Sequence, residues 1–343
     1  MRAIVLKRFH VKHPNKAFVL EERPIPKPKN HEVCIHVEGF GLNFADVMAR
    51  QGLYQDCPPL PTVIGYEAVG KIYEVGKEVK GLKAGQRVLA LTRFGSYAEY
   101  VVTQAQATAV IPEDMDAGVA AALATQYITA YYCANDCVRL HKGDHVLIQA
   151  AAGGVGTALV QYAKHKGCVV YGTAGSARKL DYLNEQGVDF PINYREIDFF
   201  DFVKKKRGKE GLDVVFDCLG GKAMKKGVQL LDTGGRIVFY GITSRAGAKW
   251  GLLSTLNLAL GFGFYSPIPF IQNSQALIGV NMLRVADRRP DKIQYCLKNV
   301  IRLTQEGIFK PVVGARFKHT AISEAHLLLQ NRKSIGKIVV TWD

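Results

Sequence analysis

Short runs in which apolar and polar residues alternate fill the first 125 positions of the chain. They include EVCIHVEGFG (32–41), EAVGKIYEVG (67–76), QRVLALT (86–92) and YAEYVVT (97–103), and glycine, proline and lysine turns separate them. Period-two alternation bounded by turn residues is typical of β-strands. We therefore predict a compact, mostly β domain over residues 1–125.

Beyond residue 125, apolar runs of strand length alternate with amphipathic segments of helix length. The strand candidates are HVLIQA, CVVYGTA, DFPINY, LDVVFDCLG, RIVFYGI and ALIGVNM, and helix candidates lie between the first five. This alternation predicts a parallel sheet with helices on both faces, and six such strands predict a Rossmann, doubly wound α/β domain over 126–283. Residues 284–343 hold two helices and one strand, so we expect them to complete the first domain.

A glycine-rich turn follows the first of these strands. It reads AAGGVG over 151–156, whereas the usual dinucleotide fingerprint G-x-G-x-x-G begins with glycine. The later glycines still allow close approach to a pyrophosphate and close packing of the helix on the strand, and the helix N-terminus attracts the anion. We predict that Gly153, Gly154 and Val155 contact the pyrophosphate of a dinucleotide.

The end of the second Rossmann strand discriminates between NAD(H) and NADP(H). An NAD site carries an acidic residue there for the adenosine ribose, and this chain has none between Tyr171 and Lys179. Ser176 can hydrogen-bond a 2′-phosphate, Arg178 or Lys179 can neutralise it, and Tyr194 can reach it from the third strand. We predict NADPH as the cofactor; the alternative is that Arg178 and Lys179 are solvated helix residues.

The amino-acid composition of the chain limits the classes of ligand and partner that we expect. The net charge of +15 favours anionic ligands, but the one dense basic run, 204–207, has no interleaved aromatic stripe, which argues against nucleic acid. Seven irregularly spaced cysteines and an N-terminus without an apolar leader predict reduced thiols and a cytoplasmic location. Glycines and prolines interrupt the apolar tract 250–271, so we expect a pocket cover or subunit contact there, and peripheral membrane contact stays open.

Several motifs together resemble one family. GLNFADVMARQGLY, GYEAVGKIYEVGKEVKGLKAGQRV, AAGGVG, GTAGSARK and INYRE occur in this order. The chain resembles the zinc-free quinone oxidoreductase branch of the medium-chain dehydrogenases/reductases, which includes zeta-crystallin, over residues 1–341. YITAYY, GLDVVFDCLGG and GVNMLR lean towards the vesicle-amine-transport-protein branch. The resemblance implies a GroES-like catalytic domain beside the Rossmann domain, and it makes AAGGVG a family variant of the glycine turn.

The resemblance also implies further cofactor contacts. Asn43 and Thr129 are expected to face the nicotinamide. Lys337 is expected to approach the pyrophosphate, with an exposed lysine in a terminal strand as the alternative. The rest of the cofactor is expected to be lined by the backbone of Phe239, Gly241, Thr243, Val280 and Met282.

Three positions test for zinc. Zinc alcohol dehydrogenases of the superfamily carry cysteine, histidine and cysteine where this chain matches with Asn43, Tyr66 and Thr125, and these side chains are poor zinc ligands. We therefore predict no metal. The resemblance makes Asn43, Arg50, Tyr54 and Tyr66 candidates for orienting substrate or supplying a proton, while an aromatic lining without a chemical role is the alternative for each tyrosine. Asp46 and Glu67 match positions expected to be structural.

Without a metal, direct hydride transfer needs an acceptor that is electrophilic unaided. We therefore predict NADPH-dependent reduction of quinones. Alternatives are reduction of alkenals or enones, and an NADPH-binding interaction protein with peripheral membrane contact. The resemblance also implies a homodimer that pairs through the sixth Rossmann strand, ALIGVNM.

Overall fold

The computed structural model describes residues 1–247 and 259–342, which form two compact units. The first unit comprises residues 1–128, 283–305 and 311–343, and the second comprises 129–282 and 306–310. The boundaries that we predict from the sequence, 125/126 and 283/284, fall beside these divisions. The short return of residues 306–310 to the second unit has no signal in the sequence.

Two sheets build the first unit, and all their strand pairs are antiparallel except the parallel pair β15–β16. Strands β2, β1 and β4 form a small sheet, and the larger sheet has the order β15-β16-β3-β5-β6-β8, with β7 paired to β3. The strands of this unit are β1 (Arg2–Leu6), β2 (Phe18–Glu22), β3 (Glu32–Leu42), β4 (Thr62–Val63), β5 (Glu67–Val75), β6 (Arg87–Leu91), β7 (Tyr100–Gln104), β8 (Thr108–Val110), β15 (Val313–Lys318) and β16 (Lys337–Thr341).

Three neighbouring strands of the larger sheet bring distant residues together. Strand β3 is antiparallel to both β5 and β16, with Gly39 opposite Val69 and Leu42 opposite Ile338. The carboxyl end of β3 therefore meets the amino ends of β5 and β16. Glu67 begins β5, Lys337 begins β16, and Asn43 follows β3, so the topology alone places these three residues at one end of the sheet.

The second unit contains a six-stranded parallel sheet in the order β11-β10-β9-β12-β13-β14. Numbered from the first strand of the unit, this is the order 3-2-1-4-5-6 of a Rossmann fold, so the predicted fold class is confirmed. The strands are β9 (His145–Ile148), β10 (Val169–Ala174), β11 (Phe190–Asn193), β12 (Leu212–Asp217), β13 (Leu231–Phe239) and β14 (Ala276–Gly279).

Helices connect and cover the strands. The α-helices are α1 (Phe44–Arg50), α2 (Ala117–Ala122), α3 (Ile128–Tyr131), α4 (Gly154–His165), α5 (Ala177–Glu185), α6 (Phe199–Arg207), α7 (Gly221–Gln229), α8 (Pro267–Gln272), α9 (Met282–Arg288), α10 (Pro290–Gln305) and α11 (Ile322–Gln330). Short 3₁₀ turns occupy Pro14–Lys16, Ala105–Ala107, Thr243–Arg245 and His319–Ala321, and π-helical turns occupy Leu123–Tyr127 and Tyr132–Cys137. None of the helices in the described ranges combines the length and apolar character that crossing a bilayer requires.

Each unit has its own apolar core. In the second unit the central strands are apolar on both faces, and Leu147, Val215 and Ile237 are fully buried among residues of the covering helices. A parallel sheet that is covered on both faces selects such continuous apolar runs. In sheets of this kind, ligands bind at the loops that follow the carboxyl ends of the strands.

Candidate functional site

The glycine turn lies between β9 and α4, at the carboxyl edge of the parallel sheet. Ala150 has a φ of 51°, and α4 begins at Gly154. The Thr157 amide donates to the Gly153 carbonyl oxygen over 2.7 Å, so the amides of Gly154, Val155 and Gly156 precede the first intrahelical bond. Three such N–H groups at the positive end of a 12-residue helix form an anion site.

The structure explains where the turn needs glycine and where it tolerates alanine. A Cβ on Gly156 would overlap the Ala150 carbonyl oxygen and the Ala151 backbone, so only glycine lets α4 start this close to β9. Ala151 is fully buried, and its methyl group faces Gly172 of β10, where an added Cβ would lie 3.1 Å away. The alanine in the first position of the fingerprint fits because the adjacent strand carries a glycine.

The end of β10 brings together the residues that we predict for a 2′-phosphate. Ser176 is exposed immediately before α5, Lys179 lies in the first turn of that helix, and its amide donates to the Ser176 carbonyl oxygen over 3.0 Å. Tyr194 is 38% exposed, and its phenol lies over Gly175, where a Cβ would approach the ring. A serine, a lysine and a tyrosine thus lie in the segments that follow β10 and β11, where the end of β10 carries no carboxylate, and this set suits a phosphorylated ribose.

Lys179→Ala tests this arrangement. We expect the Kd for NADPH to rise about tenfold or more, because a charged hydrogen bond to phosphate is lost, while the Kd for NADH changes less than about twofold. Titration of intrinsic fluorescence with each nucleotide measures both constants. The matched control is Arg178→Ala on the same helix; if that variant alone loses NADPH selectivity, the phosphate contact belongs to Arg178.

The other strands of the sheet end at the same edge. Phe239 ends β13, and its carbonyl oxygen accepts from the Val280 amide over 3.0 Å. The Thr243 amide donates to the Cys218 carbonyl oxygen over 3.0 Å, which holds the segment after β13 against the end of β12. Gly241 and Met282 follow the ends of β13 and β14, and Thr129 is a buried residue of α3. The contacts that we predict from these residues to a cofactor remain predictions.

Asp217 also lies at this edge, and we did not predict it from the sequence. It ends β12, is fully buried, and accepts a 2.6 Å hydrogen bond from the Gly220 amide. Burial raises the pKa of its carboxyl to about 6. The signal that could have revealed it is an aspartate followed three residues later by a glycine directly after an apolar strand, a pattern typical of a side-chain-stabilised turn.

In the first unit, the strand ends gather a fully buried ionic cluster. Lys337 pairs with Glu67, and both side chains are 0% exposed. The Lys337 ammonium also donates to Asn43 Oδ1 over 3.0 Å, and Asn43 Nδ2 donates to Glu67 Oε2 over 2.6 Å. The Asp46 carboxylate accepts a hydrogen bond from the backbone N–H of Asn43 over 2.7 Å and thereby fixes the start of α1. The structural role that we expect for Asp46 and Glu67 remains a prediction.

The cluster holds two carboxylates and one lysine. Burial, and after it the nearby Glu67 carboxylate, raise the pKa of Asp46 well above its ordinary value of 3.8. The folded protein therefore binds the Asp46 proton more tightly than the unfolded chain does.

A pH dependence of stability follows from this raised pKa. Asp46 binds its proton more tightly when folded, so its contribution to the free energy of unfolding is complete below pH 3.8 and declines as the pH rises through the folded value. We expect Asp46→Asn to remove this decline, which amounts to at most about 1.4 kcal/mol per pH unit. Urea unfolding between pH 4 and 8 measures the slope, and the exposed Asp181→Asn serves as control. An unchanged slope in Asp46→Asn contradicts the assignment.

Three aromatic rings lie near this cluster. The Tyr66 ring centroid is 5.8 Å from that of Tyr54 and 5.1 Å from that of Phe94. Burial raises the pKa of Tyr54 to about 12 and that of Tyr66 well above 10, so both phenols stay protonated donors. Apart from the Tyr54 phenol, which interacts with it, the buried Tyr66 hydroxyl has no hydrogen-bond partner in the described part of the chain. A buried phenol beside aromatic rings suits a planar ligand that carries an oxygen.

Two sequence-based expectations need correction. Arg50 is fully buried, and its guanidinium donates to the carbonyl oxygens of His10 and Val11 and to the Gln330 side chain, so it is committed to the core and does not orient substrate. Lys337 is neither an exposed lysine nor directed at the pyrophosphate, because its ammonium is occupied by Glu67 and Asn43. In both residues, the polar end of a long side chain is buried by segments that are distant in the sequence.

The three positions that we match to zinc ligands carry the Asn43 amide, the Tyr66 phenol and the Thr125 hydroxyl. The Thr125 hydroxyl donates to the Tyr66 carbonyl oxygen over 3.4 Å, and the Asn43 amide is held as described. Within residues 1–247 and 259–342, no three histidine, cysteine, aspartate or glutamate side chains form a potential metal site.

Comparison with known proteins identifies the family. Residues 29–113 match the family model of the alcohol dehydrogenase GroES-like domain, and residues 154–282 match that of zinc-binding dehydrogenase. The chain is 36% identical over 325 residues to the human synaptic vesicle membrane protein VAT-1 homolog, covering 94% of this chain and 82% of that protein. The chain belongs to the medium-chain dehydrogenase/reductase superfamily. Within it, the chain belongs to the zinc-free quinone oxidoreductase group, on the VAT-1 branch.

Two solved structures of this superfamily extend the comparison. The Escherichia coli quinone oxidoreductase complexed with NADPH superposes with a TM-score of 0.85 at 26% identity, covering 99% of this chain and 100% of that chain. The CurK enoyl reductase superposes with a TM-score of 0.84 at 26% identity, covering 100% and 99%. The predicted family is thus confirmed, and its members include enzymes named for two different acceptors.

Proposed function

We propose that this protein is an NADPH-dependent, zinc-independent oxidoreductase that reduces quinones by direct hydride transfer. The observation that carries the proposal is the pair of phosphate-binding features in the second unit. The helix N-terminus at Gly154 suits a pyrophosphate, and the end of β10 offers Ser176, Lys179 and Tyr194 but no carboxylate. The relative whose structure contains NADPH supports the same cofactor here.

The chain's own groups perform binding and orientation. The Gly154 and Val155 amides hold the pyrophosphate, Gly153 lets it approach the backbone, and the β10 end holds the 2′-phosphate. The chemistry that NADPH supplies when bound is hydride donation. The hydride and one proton from solvent convert a quinone to a hydroquinone and leave NADP⁺.

The aromatic cluster of the first unit suits the acceptor. Tyr54 and Tyr66 offer flat apolar faces for a quinone ring, and the Tyr66 hydroxyl offers a hydrogen bond to an oxygen that gains negative charge. A quinone accepts hydride without a Lewis acid, whereas a simple ketone depends on one far more. This preference agrees with amide, phenol and hydroxyl groups at Asn43, Tyr66 and Thr125.

Stopped-flow oxidation of NADPH against quinones, alkenals and enones tests the proposal. We expect turnover with quinones, slower turnover with NADH, and a reduced rate in Tyr66→Phe. Turnover confined to enones or alkenals would favour the alternative that the enoyl reductase relative suggests. Tight NADPH binding without oxidation by any acceptor contradicts the enzyme proposal.

A second candidate function is an NADPH-binding interaction protein with peripheral membrane contact in the cytoplasm. Phe264, Ile268 and Ile271 are 90%, 61% and 77% exposed, and related proteins are named synaptic vesicle membrane proteins. Part of the apolar tract that we predict for this role, residues 250–258, lies outside the described residues. Flotation with phosphatidylserine vesicles at low salt tests it, and Phe264→Glu/Ile271→Glu is the matched variant.

We also infer that two copies pair through β14. This strand pairs only with β13 among the described strands, which leaves its other edge open, and the exposed α8 residues Ile268 and Ile271 precede it directly. We expect light scattering after size exclusion to give twice the chain mass of 37.8 kDa. Phe264→Glu/Ile271→Glu should shift the protein towards monomer. A wild-type monomer at all concentrations contradicts the inference.

A further inference from the structure

The carboxamide of Asn43 has one permitted orientation. An ammonium only donates and a carboxylate only accepts, so Lys337 must face Oδ1 and Glu67 must face Nδ2. The two distances, 3.0 Å and 2.6 Å, satisfy both requirements at once. A rotated amide would place oxygen against Glu67 and nitrogen against Lys337. The ion pair therefore fixes which end of the amide points where.

The sheet is built to accommodate this ion pair. Lys337 begins β16 and Glu67 begins β5, so the pair reaches across the intervening strand β3. It passes over Gly41, where a Cβ would overlap the Lys337 side chain and the Glu67 carboxylate. Both charged side chains are 0% exposed. They are closed off from solvent, whereas Asn43, which both of them contact, retains 8% exposure.

Counting hydrogen-bonding groups shows what Asn43 retains. Its amide has two N–H donors, of which Glu67 takes one, and its oxygen is engaged by Lys337. The group left to offer is the second N–H. Burial of the amide beside Lys337 strengthens that donor, because the ammonium draws electron density towards Oδ1.

We propose that the Glu67–Lys337 ion pair is a positioning device that presents Asn43 as a hydrogen-bond donor to the oxygen of the substrate being reduced. The inference rests on the proposed function and goes beyond it, since it makes two residues that never touch substrate determinants of the rate. As hydride reaches the substrate, its oxygen gains negative charge, and a donor already fixed in place stabilises that charge without reorganisation. With an unfixed amide, the carbonyl end can face the same oxygen and repel it.

A double-mutant cycle tests the positioning role. Glu67→Gln/Lys337→Met removes both charges at nearly constant volume and lets the amide adopt both orientations. We expect kcat to fall about 10- to 100-fold with the Kd for NADPH unchanged within about twofold. Asn43→Ala should lower kcat by a similar factor. Adding Asn43→Ala to the double variant should lower kcat no further, because the pair acts through Asn43. The exposed pair Lys71–Glu113 provides the control, Lys71→Met/Glu113→Gln, with unchanged kcat.

The outcomes separate positioning from mere structural support. Two results overturn the proposal. One is a kcat in Asn43→Ala/Glu67→Gln/Lys337→Met that falls by the product of the two separate factors, and the other is an unchanged kcat in Glu67→Gln/Lys337→Met. A second measurement is independent of turnover. It is the NMR spectrum of the ¹⁵N-labelled side-chain amide of Asn43, whose signal is assigned by its disappearance in Asn43→Ala. In the wild type one amide proton should resonate downfield, and Glu67→Gln/Lys337→Met should abolish that shift. If no acceptor is reduced, the proposed function fails while this amide spectrum still decides whether the ion pair fixes Asn43; an unshifted wild-type proton refutes it.

Discussion

Gly156→Val should abolish measurable NADPH binding and lower the free energy of unfolding. A Cβ at this position would overlap the Ala150 carbonyl oxygen and the Ala151 backbone, so the first turn of α4 must move away from β9. The three amides that form the anion site then leave their positions. We expect the Kd for NADPH to rise at least about 100-fold and stability to fall by about 2–3 kcal/mol. Isothermal titration and urea unfolding measure the two effects.

Gly153→Ala is the matched control for the stability effect. A Cβ there would lie 3.2 Å from the Ala150 carbonyl oxygen and would meet no other atom within 4 Å. We expect a stability change below about 1 kcal/mol, so a comparable loss in both variants would show that the close approach at Gly156 is not the cause. NADPH binding by a folded Gly156→Val variant with unchanged affinity would remove the turn from the cofactor site.

Lys337→Met alone should be among the most destabilising single substitutions in the first unit. It leaves the Glu67 carboxylate fully buried without its cation, and breaking such a pair on one side costs about 3–5 kcal/mol. Adding Glu67→Gln removes the stranded charge and should recover most of the loss, since neutral replacement of a buried pair is often tolerated. Urea unfolding of the single and double variants at pH 7 measures both effects.

The reverse pattern would be informative. If Lys337→Met and Glu67→Gln/Lys337→Met are equally unstable, the cost arises from packing over Gly41 and not from the unpaired carboxylate. Lys71→Met in the exposed pair with Glu113 should change stability by less than about 0.5 kcal/mol. That contrast isolates burial as the reason for the difference.

Local patterns in the sequence predicted the second unit well. Its strands are short apolar runs separated by amphipathic helices, and each signal lies within a few residues of the element that it specifies. The glycine turn, the carboxylate-free end of β10 and Tyr194 could all be predicted, because chain order in a parallel sheet places the strand ends at one edge. Asp217 ends β12 at the same edge, so its position was equally predictable from chain order.

The first unit was harder, because long-range pairing decides burial there. The sequence of β16 gives Lys337 the character of an exposed residue near a chain end, but β16 lies between β15 and β3. Arg50 ends a short helix, and it is covered by residues 10–11 and by Gln330, which lies 280 residues away. No local periodicity contains these pairings. Asn43, by contrast, could be singled out by its match to a family position, and its role stays a prediction; its partners Glu67 and Lys337 became visible only in the sheet.

The contact between Ala151 and Gly172 changes how a nucleotide-binding turn should be recognised. The methyl group that alanine adds to the turn occupies the space that a side chain at residue 172 would otherwise fill, so the two positions share one small volume. Exchanging them, as Ala151→Gly with Gly172→Ala, should be milder than Gly172→Ala alone, because it removes the contact with Ala151 and leaves only those with the Val188 and Leu183 side chains. A fingerprint search that scores the turn by itself penalises such chains, whereas one that scores the turn together with the neighbouring strand retains them.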